Sequence, residues 1–273
     1  MLPKDSITNT FIVSLALCIV CSLLVSSAAV SLKGRQDENK VVDRQRNIIA
    51  AAGLSDAPKD LSISEVKEIF EKQVEQRLVD LDTGEYVEEA DSKFDPRKAA
   101  KDPSLNEEIE GAYSIGLKNR EKQTWVYLIK DGSGNLEKVV LPIYGKGLWS
   151  TMYGFIALNG DLRTVGGITF YEHGETPGLG GEIENPQWQG KWAGKQIWEI
   201  AQQRDDKNLR VGVTKGAPTE SDADYKVDGL SGATITSRGV DSLLKYWFSS
   251  NGFGNYLNKL ASQQGANNGS PNG

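Results

Sequence analysis

Three glycine-rich segments hold the residue types that could do chemistry. They are Gly145-Lys146-Gly147-Leu148-Trp149-Ser150, then Glu172-His173-Gly174-Glu175-Thr176-Pro177-Gly178-Leu179-Gly180-Gly181, and finally Asp228-Gly229-Leu230-Ser231-Gly232-Ala233-Thr234-Ile235-Thr236-Ser237. Glycine lets backbone approach a ligand closely and adopt positive φ, although each segment alone reads better as a tight loop. The third offers more. It is small, rich in hydroxyls, and runs into a helix expected to start near Ser237, so free N–H groups and a positive dipole end would face an anion. Capping of that helix by Thr236 or Ser237 is the purely structural reading, and both can hold together. The glycine spacing is not that of a nucleoside-triphosphate loop, and no lysine follows it.

Other chemistries are excluded by what is scarce. The only two cysteines, Cys18 and Cys21, lie in the first apolar stretch, and there is one histidine, His173. This leaves no disulfide, no all-cysteine zinc site and no self-sufficient iron–sulfur site in the remaining chain, and no metal centre that needs several histidines. The spacing Cys18-x-x-Cys21 invites a redox reading, but in an apolar helix two small packing residues fit better. A net charge of −6, without any Lys/Arg cluster, argues against a nucleic-acid binder. No strand-linked Gly-x-Gly-x-x-Gly fingerprint for NADH is present.

These segments need elements to position them. The 273 residues suffice for one fair-sized domain plus an anchor. Ile7 to Leu32 carries no charge, and its apolar heart from Phe11 to Val30 would span roughly 30 Å as a helix, enough for a bilayer core. Ser27-Ala28-Ala29 keeps a cleaved signal peptide open as the competing reading, against which the length of the stretch favours an anchor. Ser22 and Ser26, like Ser27 and Ser31, sit four apart and suit close helix packing with partner subunits. Lys4 precedes the span while Lys33, Arg35, Lys40, Arg44 and Arg46 follow it, so charge alone places the large domain in the cytoplasm.

A helix is expected over 38–53, able to continue the anchor outward and stopped by Gly53, and another over 64–81, capped by Ser62 or Ser64. The stretch 88–110, with Pro96 and Pro103, reads as loop. Strands are expected at 124–130 and 136–143 around the hairpin signature Asp131-Gly132-Ser133-Gly134-Asn135, and at 164–171. Short helices fit 186–192 and 197–202. Val240, Leu243, Leu244, Trp247 and Phe248 mark one face of the helix starting near Ser237. The organisation expected is a short N-terminal segment (1–10), a transmembrane helix (11–32), a helical N-terminal part of the soluble region (33–110), a ligand-binding domain (111–260) and a disordered tail (261–273). The fold class is α+β, built on a mainly antiparallel sheet with flanking helices.

The third segment, Asp-Gly-x-Ser-Gly-Ala-Thr, resembles the flavinylation motif of bacterial FMN-binding domains, and the other two resemble companion segments of the same domain. With one N-terminal span and a long soluble part, nearly the whole chain is similar to the C subunit of sodium-translocating NADH:quinone reductases. The resemblance implies one FMN per chain, joined through its phosphate to Thr234, with Asp228, Ser231, Gly232, Ala233, Ile235 and Thr236 around it. It implies that Thr176, Leu179 and Gly180 line the isoalloxazine, Thr176 donating a hydrogen bond, with Glu175 and Ser150 in the companion segments. Lys215 is a candidate phosphate partner, or simply exposed. Trp149 packs near the ring or in the core, and His173 orders its loop. No catalytic side chain and no metal are implied, because electron transfer by a bound flavin needs no general base. Further implications are partner membrane subunits carrying flavin and iron–sulfur centres, and a flavin transferase acting outside the cytoplasm. The domain would then be periplasmic on a single-pass protein of the bacterial inner membrane, against the charge count. The G subunit of Rnf-type electron-transport complexes, and a flavin-free extracytoplasmic binding module, are the alternatives; the long insert before the first hairpin favours the reductase over the Rnf complex.

Overall fold

The computed structural model describes residues 6–268. The chain divides into two compact units, residues 1–44 and 45–273. Helix α1 (Ile7–Ala52) is, among the described residues, the one helix long and apolar enough to cross a membrane. Its side chains from Phe11 to Val30 are exposed in the isolated chain, Cys18 and Cys21 included. The helix expected over 38–53 is the C-terminal part of α1. It stops at Gly53, whose φ of +66° and backbone bonds (Gly53 N–H to Ala50 O, Leu54 N–H to Ile49 O) make a glycine C-terminal cap.

Among the described residues, α1 is followed by helices α2 (Ile63–Gln73), α3 (Pro96–Ala99), α4 (Pro186–Gly190), α5 (Thr234–Phe248) and α6 (Gly254–Asn268), by nine strands and by two short 3-10 turns. Strands β1 (Val74–Asp80), β4 (Gln123–Lys130), β5 (Leu136–Lys146), β6 (Thr151–Asn159) and β7 (Val165–Glu172) form one antiparallel sheet in the order β1-β4-β5-β6-β7. Strands β2 (Asn106–Glu108) and β3 (Asn119–Glu121) pair antiparallel, and β8 (Gly212–Thr214) and β9 (Lys226–Asp228) pair parallel. The α+β architecture is as expected.

Both faces of the large sheet are covered. Along β4, Val126 and Leu128 belong to one apolar cluster, with Val240, Leu243, Leu244 and Trp247 of α5, while Trp125, Tyr127 and Ile129 belong to another, with Ile48, Ala51 and Ala52. The side-chain period of two sends successive residues to opposite layers. Double burial also explains a strand that sequence reading missed: in β6, Gly154 to Leu158 are buried without a break, leaving no polar alternation to see.

Three expectations need correction. The helix expected over 64–81 ends at Gln73 and passes straight into β1, because Leu78 and Val79 are both buried in different clusters, which a strand achieves and a one-faced helix does not. The helix expected over 197–202 does not form. Ile197 and Trp198 are fully buried neighbours in extended chain, Ile197 N–H bonding Arg163 O and Trp198 bridging Leu209. The 88–110 loop is interrupted by α3 and β2, α3 being started by Asp95 as N-cap and Pro96 as first residue. Of the two expected caps of α2, Ser62 takes the role, and it forms a reciprocal capping box with Glu65. Helix α6 runs past residue 260 to Asn268, and residues 269–273 of the expected tail lie outside the described residues.

Candidate functional site

Each glycine-rich segment sits at an element end. The first is the turn between β5 and β6, closed by Gly147 N–H to Ser150 O at 2.8 Å. The second follows β7 and enters a 3-10 turn (Gly180–Glu184). The third links β9 to α5. That helix begins at Thr234, three residues before the expected Ser237, so Thr234 is its first residue rather than part of the preceding loop.

The segments meet at Glu175. Its Oε1 accepts N–H from Trp149 (2.9 Å) and Ser150 (3.4 Å), and its Oε2 accepts N–H from Leu148 (3.1 Å) and the Thr236 hydroxyl (2.5 Å). The carboxylate is buried, and desolvation alone would push its pKa up. The Thr236 hydroxyl and the three backbone N–H groups outweigh that and hold it below the ordinary 4.5, so Glu175 is ionised at neutral pH. Glycine is needed where the segments touch. A Cβ on Gly147 would lie 2.6 Å from Glu175 Oε1, and one on Gly180 would lie 2.5 Å from Thr236 Oγ1.

Around this joint lies an open cavity of about 240 Å³, lined by Leu148, Glu175, Thr176, Leu179 and Gly180 on one side and by residues 232–236 on the other. The N-cap of α5 is Ala233, and no side chain caps the helix. Thr236 and Ser237 do not take that role: Thr236 serves Glu175, and Ser237 Oγ accepts the Leu230 N–H at 3.0 Å. The first turn of this 15-residue helix is thus left without a side-chain cap at residues that line the cavity, and Thr234 is exposed there. Leu148, Leu179 and Ile235 are roughly half exposed at its rim.

Of the residues singled out from sequence, Glu175, Thr176, Leu179, Gly180, Gly232, Ala233, Thr234, Ile235 and Thr236 are brought together here. Trp149 is no core residue: it is 65% exposed, and its indole N–H donates to Thr176 Oγ1 at 3.2 Å. Ser150 does not line the cavity but holds the neighbouring loop, its Oγ accepting the Gly174 N–H at 2.6 Å. His173 also orders that loop, Nδ1 accepting the Glu175 N–H, with Nε2 3.0 Å from Glu184 Oε1. The exposed Ser231 and Lys215 are not among the lining residues. Asp228 is not either; both its carboxylate oxygens pair with Lys191 at 2.8 Å. Leu148, in the first motif but outside the expected binding set, is in the wall.

Residues 147–259, which begin at the β5–β6 turn and include all three segments' site residues, match the family model of the FMN-binding domain. The chain is 45% identical to the C subunit of the Na(+)-translocating NADH-quinone reductase from Pseudomonas aeruginosa, over 95% of this chain and 98% of that protein. It is 47% identical to the C subunit from Haemophilus ducreyi, over 97% and 98% respectively. The crystal structure of NqrC from Shewanella oneidensis superposes with a TM-score of 0.71 at 35% identity, covering 84% of this chain and 99% of that one. Identity at this level along nearly the full length, together with the shared fold and the FMN-binding segment, shows that this chain belongs to the NqrC family, the C subunits of Na(+)-translocating NADH-quinone reductases.

Proposed function

We propose that the chain carries one FMN, esterified through its phosphate to Thr234, and relays electrons between redox centres on partner subunits of a sodium-translocating NADH-quinone reductase. The observation that carries this reading is the uncapped start of α5, with the exposed Thr234 hydroxyl at its first position on the cavity wall. The lining suits such a ligand. Free N–H groups and the helix dipole favour the about one negative charge left on a phosphodiester. Leu148, Leu179 and Ile235 offer apolar surface to a flat ring, and Thr176 and Thr234 offer hydroxyls. The cavity is below the ~300–1,000 Å³ of pockets that engulf a ligand, so retention by a covalent bond fits it better than retention by enclosure.

When bound, the flavin supplies the electron chemistry that the side chains here lack. The chain's own residues hold and orient it. Glu175 fixes the β5–β6 turn against α5. Trp149 occupies an acceptor position of Thr176 Oγ1, which leaves that hydroxyl's proton free to donate. The single span of α1 would anchor the chain in the bacterial inner membrane. Attachment by a flavin transferase outside the cytoplasm requires a periplasmic domain, and the positive-inside rule that opposes this is weakest for large domains. The partners would be membrane subunits bearing flavin and iron–sulfur centres.

The test is intact mass and peptide mapping of the chain purified from its native membrane. Added mass of one FMN less one water on the peptide containing Thr234 is expected, and Thr234→Ala should abolish the covalent fluorescence. An unmodified peptide from a host with the transferase, or flavin retained at Thr236 in the variant, would overturn the assignment.

A further inference from the structure

Among the described residues, Glu175 is the only ionisable one that lines the cavity. Its carboxylate is buried and tied by four donors from two other segments, so its position relative to the wall is fixed. Those donors are dipoles; they stabilise the charge without cancelling it. A fixed negative charge in a partly desolvated wall acts on neighbouring charge far more strongly than it would in water. We propose that Glu175 is a redox-tuning residue, whose fixed charge opposes the addition of an electron to the flavin and so holds its midpoint potential down. This rests on the proposed flavin site and adds to it: the residue that joins the three segments also sets how readily the cofactor accepts an electron.

Charge and architecture are separable here. Glu175→Gln removes the charge and keeps the size; it also replaces one accepting oxygen with an NH2 group, which the Thr236 hydroxyl can turn to accept, so the joint loses donors to this side chain as it does in Thr236→Val. Thr236→Val removes one donor and keeps the charge, now less shielded. A loosened site would move the potential the same way in both variants. An electrostatic role moves it to more positive values in Glu175→Gln, and to unchanged or more negative values in Thr236→Val.

The experiment uses the full-length flavinylated chain in detergent, titrated with dithionite against reference dyes and followed by flavin absorbance. A positive shift confined to Glu175→Gln is expected. No shift, a negative shift, or an equal positive shift in Thr236→Val would overturn the proposal. If Glu175→Gln takes up no flavin, Glu175→Ala, which removes the charge without setting an amide NH2 against the backbone donors, supplies the test. Its potential should lie above that of the wild type, and a potential equal to or below it would overturn the idea. A wild-type chain without flavin would overturn the proposed cofactor itself, which is a different failure, visible before any titration begins.

Discussion

Replacing Thr236 with Val tests how the three segments are held together. The side chain is 1% exposed, and valine is nearly isosteric, so packing is preserved while one hydroxyl donor to Glu175 is lost. A hydrogen bond to a charged group contributes about 1.5–3 kcal/mol, and the three backbone donors to Glu175 remain, so a loss in that range is expected at pH 7. The loss should depend on pH. Because the folded-state pKa of Glu175 is depressed, its ionised form stabilises the fold above the ordinary 4.5, and that contribution is lost as pH falls through the folded value. Valine brings the folded pKa back toward 4.5. The gap between wild type and variant should therefore be constant from neutral pH down to about 5 and close in more acidic solution. Urea unfolding of the detergent-solubilised chain, followed by tryptophan fluorescence across that pH series, measures it. A loss below about 0.5 kcal/mol, within the range of ordinary surface substitutions, or a gap that widens in acid, would refute the account.

Leu243→Ala, which empties part of the fully buried layer between α5 and the sheet, should cost about 2–5 kcal/mol in the same unfolding assay. Gly232→Ala should cost about 1–2 kcal/mol and reduce covalent flavin loading, since φ is +72° there and a Cβ would press on Leu179 at 3.0 Å. Trp149→Phe should leave stability within about 0.5 kcal/mol of wild type, the residue being exposed, yet shift the bound flavin's absorption spectrum by releasing Thr176 from its donor. Lys191→Ala should cost no more than about 1 kcal/mol and leave flavin loading intact, because its pair with Asp228 is exposed and stands outside the cavity wall.

Legibility in the sequence followed locality. The hairpin at Asp131–Asn135, a serine cap before α2 and the apolar face of α5 are written within a few residues, and all were readable. Strand β6 was not, because burial on both faces erases the alternation that marks a strand. The helix-like run from Val66 to Leu81 misled because its second half satisfies helical spacing and strand pairing with β4 at once, and only the partner strand decides between them. The site divided along the same line. Its glycines and hydroxyls stood out by type, and their convergence is real. The function of Glu175 as the joint was invisible, since its donors lie 27 and 61 positions away and two of the three segments contribute backbone N–H or a hydroxyl rather than a recognisable partner. The earlier start of α5 was missed because Ala233 gives no cap signal, and the lack of a cap is what leaves the first-turn N–H groups free.

The joint at Glu175 also bears on biogenesis. Thr236, two positions beyond the proposed acceptor Thr234, is held by a residue 61 positions earlier, which in turn is held by a turn 27 positions earlier still. The presentation of Thr234 at a helix start thus depends on contacts completed only after the C-terminal part of the domain has been synthesised. A maturation enzyme that recognises the threonine in this setting would load finished domains and pass over partly folded ones. Covalent flavin would then serve as a record of completed folding, legible to the cell before the protein enters its complex.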